Sequence, residues 1–205
     1  MTLRSILSAA LLVAAAGSAN AAVVNVEASC AGGMPALMGS SAGCTTDPAR
    51  TDLGNIEIFE TGAATIVGDD DFFSLGLGGS LVIEFDRAFG GAASVIEITN
   101  RGSSQQEAAE VFVSADGASF QSIGIATNQG TATGARGNLT TLAVNGAFRF
   151  LGFRDVSRTV FPGSTSGDGF DVDAVAVSAV PLPASALLLL ASLGGLGAVR
   201  RARRV

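Results

Sequence analysis

Between Val23 and Val177 no apolar run recurs at helical spacing; the chain is a succession of short β-type runs cut by Gly, Asp and Asn. Apolar side chains on every second residue suit a half-buried strand, and frequent turn residues leave no room for long helices. The candidate strands are Val23 to Ala28, Asn55 to Phe59, Ala64 to Val67, Ser80 to Asp86, Ser94 to Asn100, Glu110 to Ser114, Ser119 to Ala126, Leu139 to Val144, Phe148 to Phe153 and Phe170 to Ser178. The alternation is cleanest at Leu81 to Asp86, where Leu81, Ile83 and Phe85 share one face and Val82, Glu84 and Asp86 the other. Ala115-Asp116-Gly117 supplies a tight hairpin turn between two runs. Asn128 to Asn138, rich in Gly, Thr and Ala, predicts a mobile loop. Many short strands predict an all-β sandwich or barrel. No internal repeat is present, and 205 residues suit one such domain.

The two ends depart from this pattern. Arg4, the apolar stretch Ile6 to Ala16 and Ala19-Asn20-Ala21 read as a secretory signal peptide, residues 1–21, cut by signal peptidase after Ala21. At the other end an apolar run stretches to Val199 and is followed by Arg200, Arg201, Arg203 and Arg204. Leu182 to Val199 is 18 residues without a charge, about the minimum for a transmembrane helix. The arginines hold their side in the cytoplasm, which leaves the body outside the inner membrane.

Val180-Pro181-Leu182-Pro183-Ala184, one apolar helix, an Arg cluster and the chain end together resemble the VPLPA variant of the PEP-CTERM sorting signals. The resemblance covers Val180 to Val205. It implies processing near Pro181 to Ala184 by an exosortase, after an inner-membrane-anchored stage, and delivery to the cell surface or the extracellular polysaccharide matrix. An unprocessed C-terminal anchor is the plainer alternative. Residues 22–179 are then the body of the protein.

All 18 acids lie in that body, with 7 of the 12 arginines; 7 minus 18 gives a formal charge of −11. Such a surface opposes nucleic acid and anionic lipid and favours divalent cations. Cys30 and Cys44 are the only cysteines, and in an exported chain they read as one disulfide. Closing a loop of about 15 residues contributes roughly 3 kcal/mol in the chain-entropy account.

Absent residues exclude chemistry. The chain has no His, Trp, Tyr or Lys, so it has no Ser-His-Asp triad, no Cys-His pair, no His metal site and no Schiff-base lysine. Gly76-Leu77-Gly78 opens a strand rather than a helix and is no dinucleotide fingerprint. Asn138-Leu139-Thr140 fits a glycosylation sequon by chance. Carboxylates remain: Asp69, Asp70 and Asp71 before Phe72-Phe73, and Asp168, Asp171 and Asp173 near the end of the body. Clustered carboxylates on loops suit calcium, and a solvated acidic turn is the plain alternative. On a regular strand Asp171, Asp173, Val175 and Val177 point one way, which sets Asp173 at the core margin. A carboxylate there needs a cation, an arginine such as Arg149 or Arg154, or backbone N–H groups. Phe72, Phe73, Phe148, Phe150 and Phe153 read as core residues.

Gly76 to Phe85, Val111 to Phe120 and Gly169 to Val175 resemble, in that order, exported bacterial domains of the discoidin or galactose-binding-like jelly roll. That resemblance implies an eight-stranded β-sandwich, loops at one end that bind glycans, and a structural calcium. The expectation is therefore an all-β jelly-roll sandwich between a signal-peptide helix and a C-terminal transmembrane helix. Its expected role is a non-enzymatic surface or matrix protein that binds extracellular polysaccharide with calcium. A structural component without a ligand is the second reading. A polysaccharide-acting enzyme with a carboxylate pair is the third, and no catalytic residues are assigned.

Overall fold

A computed structural model describes residues 23–29, 50, 52–59, 66, 68–69, 71–98, 104–133, 136–180 and 192. The signal peptide, Cys30 and Cys44, Asp70 and the sorting tail beyond Val180 lie outside the described residues, save Ser192. Among the described residues no helix is long and apolar enough to cross a membrane.

Nine strands run through the described residues: β1 (Val23–Ser29), β2 (Glu57–Phe59), β3 (Phe73–Ser74), β4 (Ser80–Ile98), β5 (Ala108–Ser114), β6 (Gln121–Thr127), β7 (Thr131–Thr133), β8 (Gly137–Asp155) and β9 (Asp171–Ala179). A 3-10 turn at Leu53–Asn55 and one helical turn, α1 (Ser157–Val160), are the only described helices apart from single residues at Arg50 and Ser192. The fold is an all-β sandwich, one of the two forms that the strand pattern predicts, and of the jelly-roll kind that the resemblance implies. β3 and β7 were not among the expected strands, and β7 lies inside the segment expected to be a mobile loop. Thr131, Ala132 and Thr133 pair antiparallel with Leu139, Asn138 and Gly137. Two threonines suit a strand, and the pairing answers their backbone groups where composition alone signals a loop.

Two strands build both layers. β4 and β8 are each 19 residues long, and each was expected as two separate strands. The first half of β4 pairs with β1 and with the second half of β8; its second half pairs with β9 and with the first half of β8. The register breaks between Glu84 and Phe89 and again before Gly91. The strands bend there, with Gly90 opposite Gly146. Gly146 has φ +138°, and a Cβ built on Gly90 would lie 2.3 Å from the Gly146 carbonyl oxygen. The layers are thus β1-β4-β8-β5-β6 and β2-β9-β4-β8-β7, with β3 also on β9.

The main core lies between the layers. Leu81, Ile83 and Phe85 of β4 meet Val111 and Val113 of β5, Leu151 and Phe153 of β8, and Val172, Val175 and Val177 of β9. Phe85 and Phe89 pack edge to face at 5.2 Å. The predicted in-out alternation at Leu81 to Phe85 holds, with Leu81, Ile83 and Phe85 all fully buried. Burying such side chains contributes about 1.5–3 kcal/mol each. Phe73 and Phe153 are core; Phe72, Phe148 and Phe150 are half-buried and pack against the clusters.

One expectation fails on β9. Ile96 of β4 faces Ala174, yet Glu97 faces Val172, so Asp173 is an extra residue in the ladder. This bulge shifts the alternation: Val172 joins Val175 and Val177 in the main core, while Ala174 and Ala176 line the opposite face with Ile66, Ile96 and Ile98. Asp171, Asp173, Val175 and Val177 therefore do not share one side.

Candidate metal-binding site

The bulge places two aspartates at the start of β9, each amid other acids. Asp173 is fully buried, and Asp171 nearly so. Asp173 stands with Glu57 and Asp69, one oxygen from each lying within 4.8 Å of the others; Asp171 stands likewise with Glu107 and Asp168.

Several elements converge on the first group. β2 runs parallel to β9 with Glu57 opposite Ala174, which brings Glu57 alongside Asp173. Gly68 precedes Asp69 and lies against the Asp173 carboxylate so closely that a Cβ there would sit 1.4 Å from Oδ2. Any other residue at 68 would displace either the loop or the carboxylate. Asp69 Oδ1 accepts from the Asp71 amide at 3.0 Å, which curls the loop. Asn55 donates to the Phe72 carbonyl at 3.3 Å and ties the 3-10 turn to the same loop. Glu57 Oε2 is buried with no hydrogen-bond partner among the described residues. Burial, and then the neighbouring Asp69, raise the Glu57 pKa above its ordinary value.

The second group sits where β3 meets β9. Ser74 is opposite Asp171 and donates its hydroxyl to Asp171 Oδ1. Glu107 comes from the segment before β5 and is 2% exposed. Asp168 pairs with Arg50, which also lies over the Phe72 ring at 5.4 Å. Burial first, then Glu107, push the Asp171 pKa up to about 8; Asp168 adds to this, while Ser74 and Arg50 oppose it. Two carboxylates this close in a dry site do not both ionise without a cation or proton between them.

Of the six aspartates singled out in the sequence, Asp69 and Asp173 fall in one group and Asp168 and Asp171 in the other; Asp71 is exposed and in neither. Sequence reasoning missed Glu57 and Glu107. Neither has an acidic neighbour in sequence, and each is recruited by a chain segment distant from β9. Arg149 and Arg154, named as partners for Asp173, pair with Glu84 at 2.8 Å and Glu110 at 2.5 Å. Asn138 is 1% exposed and donates to Glu97 at 3.1 Å, so the folded sequon is closed to a sugar transferase.

No family model matches the chain, and no curated protein matches it. Solved structures do match. A pectin-binding carbohydrate-binding module is 17% identical over 80% of this chain and 96% of its own, with a TM-score of 0.43. The CBM32 of AlyQ in complex with 4,5-unsaturated mannuronic acid is 14% identical over 78% and 97%, with a TM-score of 0.44. The C-terminal domain of a chitobiase from Bacteroides fragilis is 12% identical over 80% and 97%, with a TM-score of 0.43. The chain spans 32% of a truncated AlyQ with CBM32 and alginate lyase domains. Likeness at this level assigns neither a site nor a ligand.

Proposed function

We propose that the protein is an exported, surface-sorted, non-enzymatic module that holds calcium beside β9 and binds extracellular polysaccharide through loops at that end. The observation that carries the reading is the convergence of Glu57, Asp69 and Asp173, from three separate segments, on one point. The residues fit a hard cation on two counts. Glu57 Oε2 is a buried oxygen without a hydrogen-bond partner among the described residues, and Gly68 leaves room for Asp173 where a side chain would not. Calcium takes about six to eight oxygens, so loop carbonyls or water would complete the shell. The bound ion would supply charge neutralisation and fix the loop after β2; Glu57, Asp69 and Asp173 would hold it. Asp171, Glu107 and Asp168 are a second acidic group of the same composition.

The glycan part of the reading rests on the sequence resemblance to galactose-binding-like jelly rolls, and the surface part on the VPLPA-type tail. A purely structural role differs in one respect, the absence of a ligand. Affinity electrophoresis in gels cast with the producing organism's own polysaccharide separates the two. Calcium-dependent retardation supports binding; unretarded migration with calcium bound leaves the structural role. Release of reducing sugar from that polysaccharide would restore the enzyme reading. For the tail, deleting residues 180–205 should free the protein from the surface, and unchanged surface retention would refute sorting.

A further inference from the structure

The sequence contains three Asx–Gly pairs: Asp116-Gly117, Asn145-Gly146 and Asp168-Gly169. Each is chemically prone to the same reaction, in which the glycine nitrogen attacks the preceding side-chain carbonyl. The fold guards two of them. Gly117 donates its N–H to Ser114 Oγ at 3.0 Å, while Asp116 Oδ1 accepts from the Ala118 and Ser119 amides at 2.9 and 2.8 Å. Gly169 donates its N–H to Ser166 Oγ at 3.0 Å, while Asp168 is held by Arg50. In both pairs the nucleophilic nitrogen and the carboxyl are fixed to other groups.

The third pair has no such guard on its side chain. Asn145, Gly146 and Ala147 are exposed at the bend of β8, in the register gap between the pairs Gly91–Val144 and Phe89–Phe148. The Asn145 side chain makes no hydrogen bond among the described residues. Gly146, at φ +138°, has no Cβ to obstruct its nitrogen. We infer that Asn145-Gly146 is a site of spontaneous deamidation in the folded protein. The Gly146 nitrogen bonds to Asn145 Cγ and gives up its proton. The Cγ–Nδ2 bond breaks, and ammonia leaves with that proton. Water then opens the succinimide at either carbonyl, leaving aspartate or isoaspartate, with no change in oxidation state. Either product adds one negative charge at the bend. The isoaspartate also lengthens the main chain by a methylene where Gly90 and Gly146 are in close backbone contact.

The test compares the full chain, folded and in urea, aged in mildly alkaline buffer. Tryptic peptides are scored for the deamidation mass gain and by isoaspartyl methyltransferase labelling. The denatured chain supplies each pair's intrinsic rate. In the folded protein the Asn145 rate should stay within about threefold of that value, while isomerisation at Asp116 and Asp168 should slow by about tenfold or more, since hydrogen bonds must break first. Asn145→Gln should remove the product from the peptide ending at Arg149 with the fold intact, and Ser114→Ala should speed isomerisation at Asp116. Slowing at Asn145 as large as at the two aspartates would overturn the inference.

Discussion

Asp155 shows how one carboxylate organises this fold. It ends β8 and is 5% exposed. It accepts from the Gly78 amide at 2.7 Å, the Phe170 amide at 3.1 Å and the Ser157 hydroxyl at 2.5 Å. It thereby joins the turn before β4, the entry to β9 and α1. Burial nonetheless raises its pKa, because the accepted bonds only partly replace water. Asp155→Ala should cost about 2–4 kcal/mol, since it strands buried donors. Thermal unfolding followed by circular dichroism would show this as a midpoint lower by roughly 5–15 °C. The half-buried, solvent-screened ion pairs Arg149–Glu84 and Arg154–Glu110 should matter much less, about 1 kcal/mol or under each. Titration provides a further residue-scale outcome. The folded pKa of Asp171 is about 8 against an ordinary 3.8, so the folded chain holds a proton that the unfolded chain releases across that interval. Stability from this group is complete below the ordinary value and is lost as pH rises towards about 8. Glu57 and Asp155 act in the same direction. In chelator the unfolding midpoint should therefore fall between about pH 5 and pH 8, and an unchanged midpoint would refute the assignment.

At the scale of elements, the bend of β4 against β8 is the feature on which both layers depend. Gly146→Ala combines positive φ with a Cβ that would lie 2.9 Å from the Phe148 ring, and should destabilise by about 1–3 kcal/mol. Gly163, with nothing within 4 Å of its Cβ position, is the control, and Gly163→Ala should change stability by under about 0.5 kcal/mol. Urea titrations of the two variants give both values, and equal costs would contradict the account of the bend. Much of this architecture was legible in sequence. Leu81 to Asp86 showed its alternation, and Asp116-Gly117 marked where the chain turns, although the connection from β5 to β6 is six residues long rather than a tight hairpin. The bends were not, because Gly90-Gly91 and Asn145-Gly146 read as breaks between strands when each only kinks one. The Asp173 bulge was invisible for a different reason: it exists only relative to the register of β4, which no local pattern encodes. The candidate site divides the same way. Asp69, Asp168, Asp171 and Asp173 were visible as neighbours in sequence, whereas Glu57 and Glu107 arrive through strand pairing and a distant loop.

For the whole molecule, an acidic body carries buried carboxylates beside one strand and has no lysine or histidine to pair with them. We propose that a divalent cation neutralises that arrangement, and this is the central claim. The measurement that tests it most directly is thermal unfolding of the purified chain by circular dichroism, in calcium and in chelator, for the native sequence and for Asp173→Asn. Calcium at about 100 times its dissociation constant adds roughly 2.7 kcal/mol, on the order of 5–10 °C in midpoint. The account predicts that shift in the native sequence and its loss in Asp173→Asn. Equal midpoints in calcium and chelator for the native sequence would contradict it.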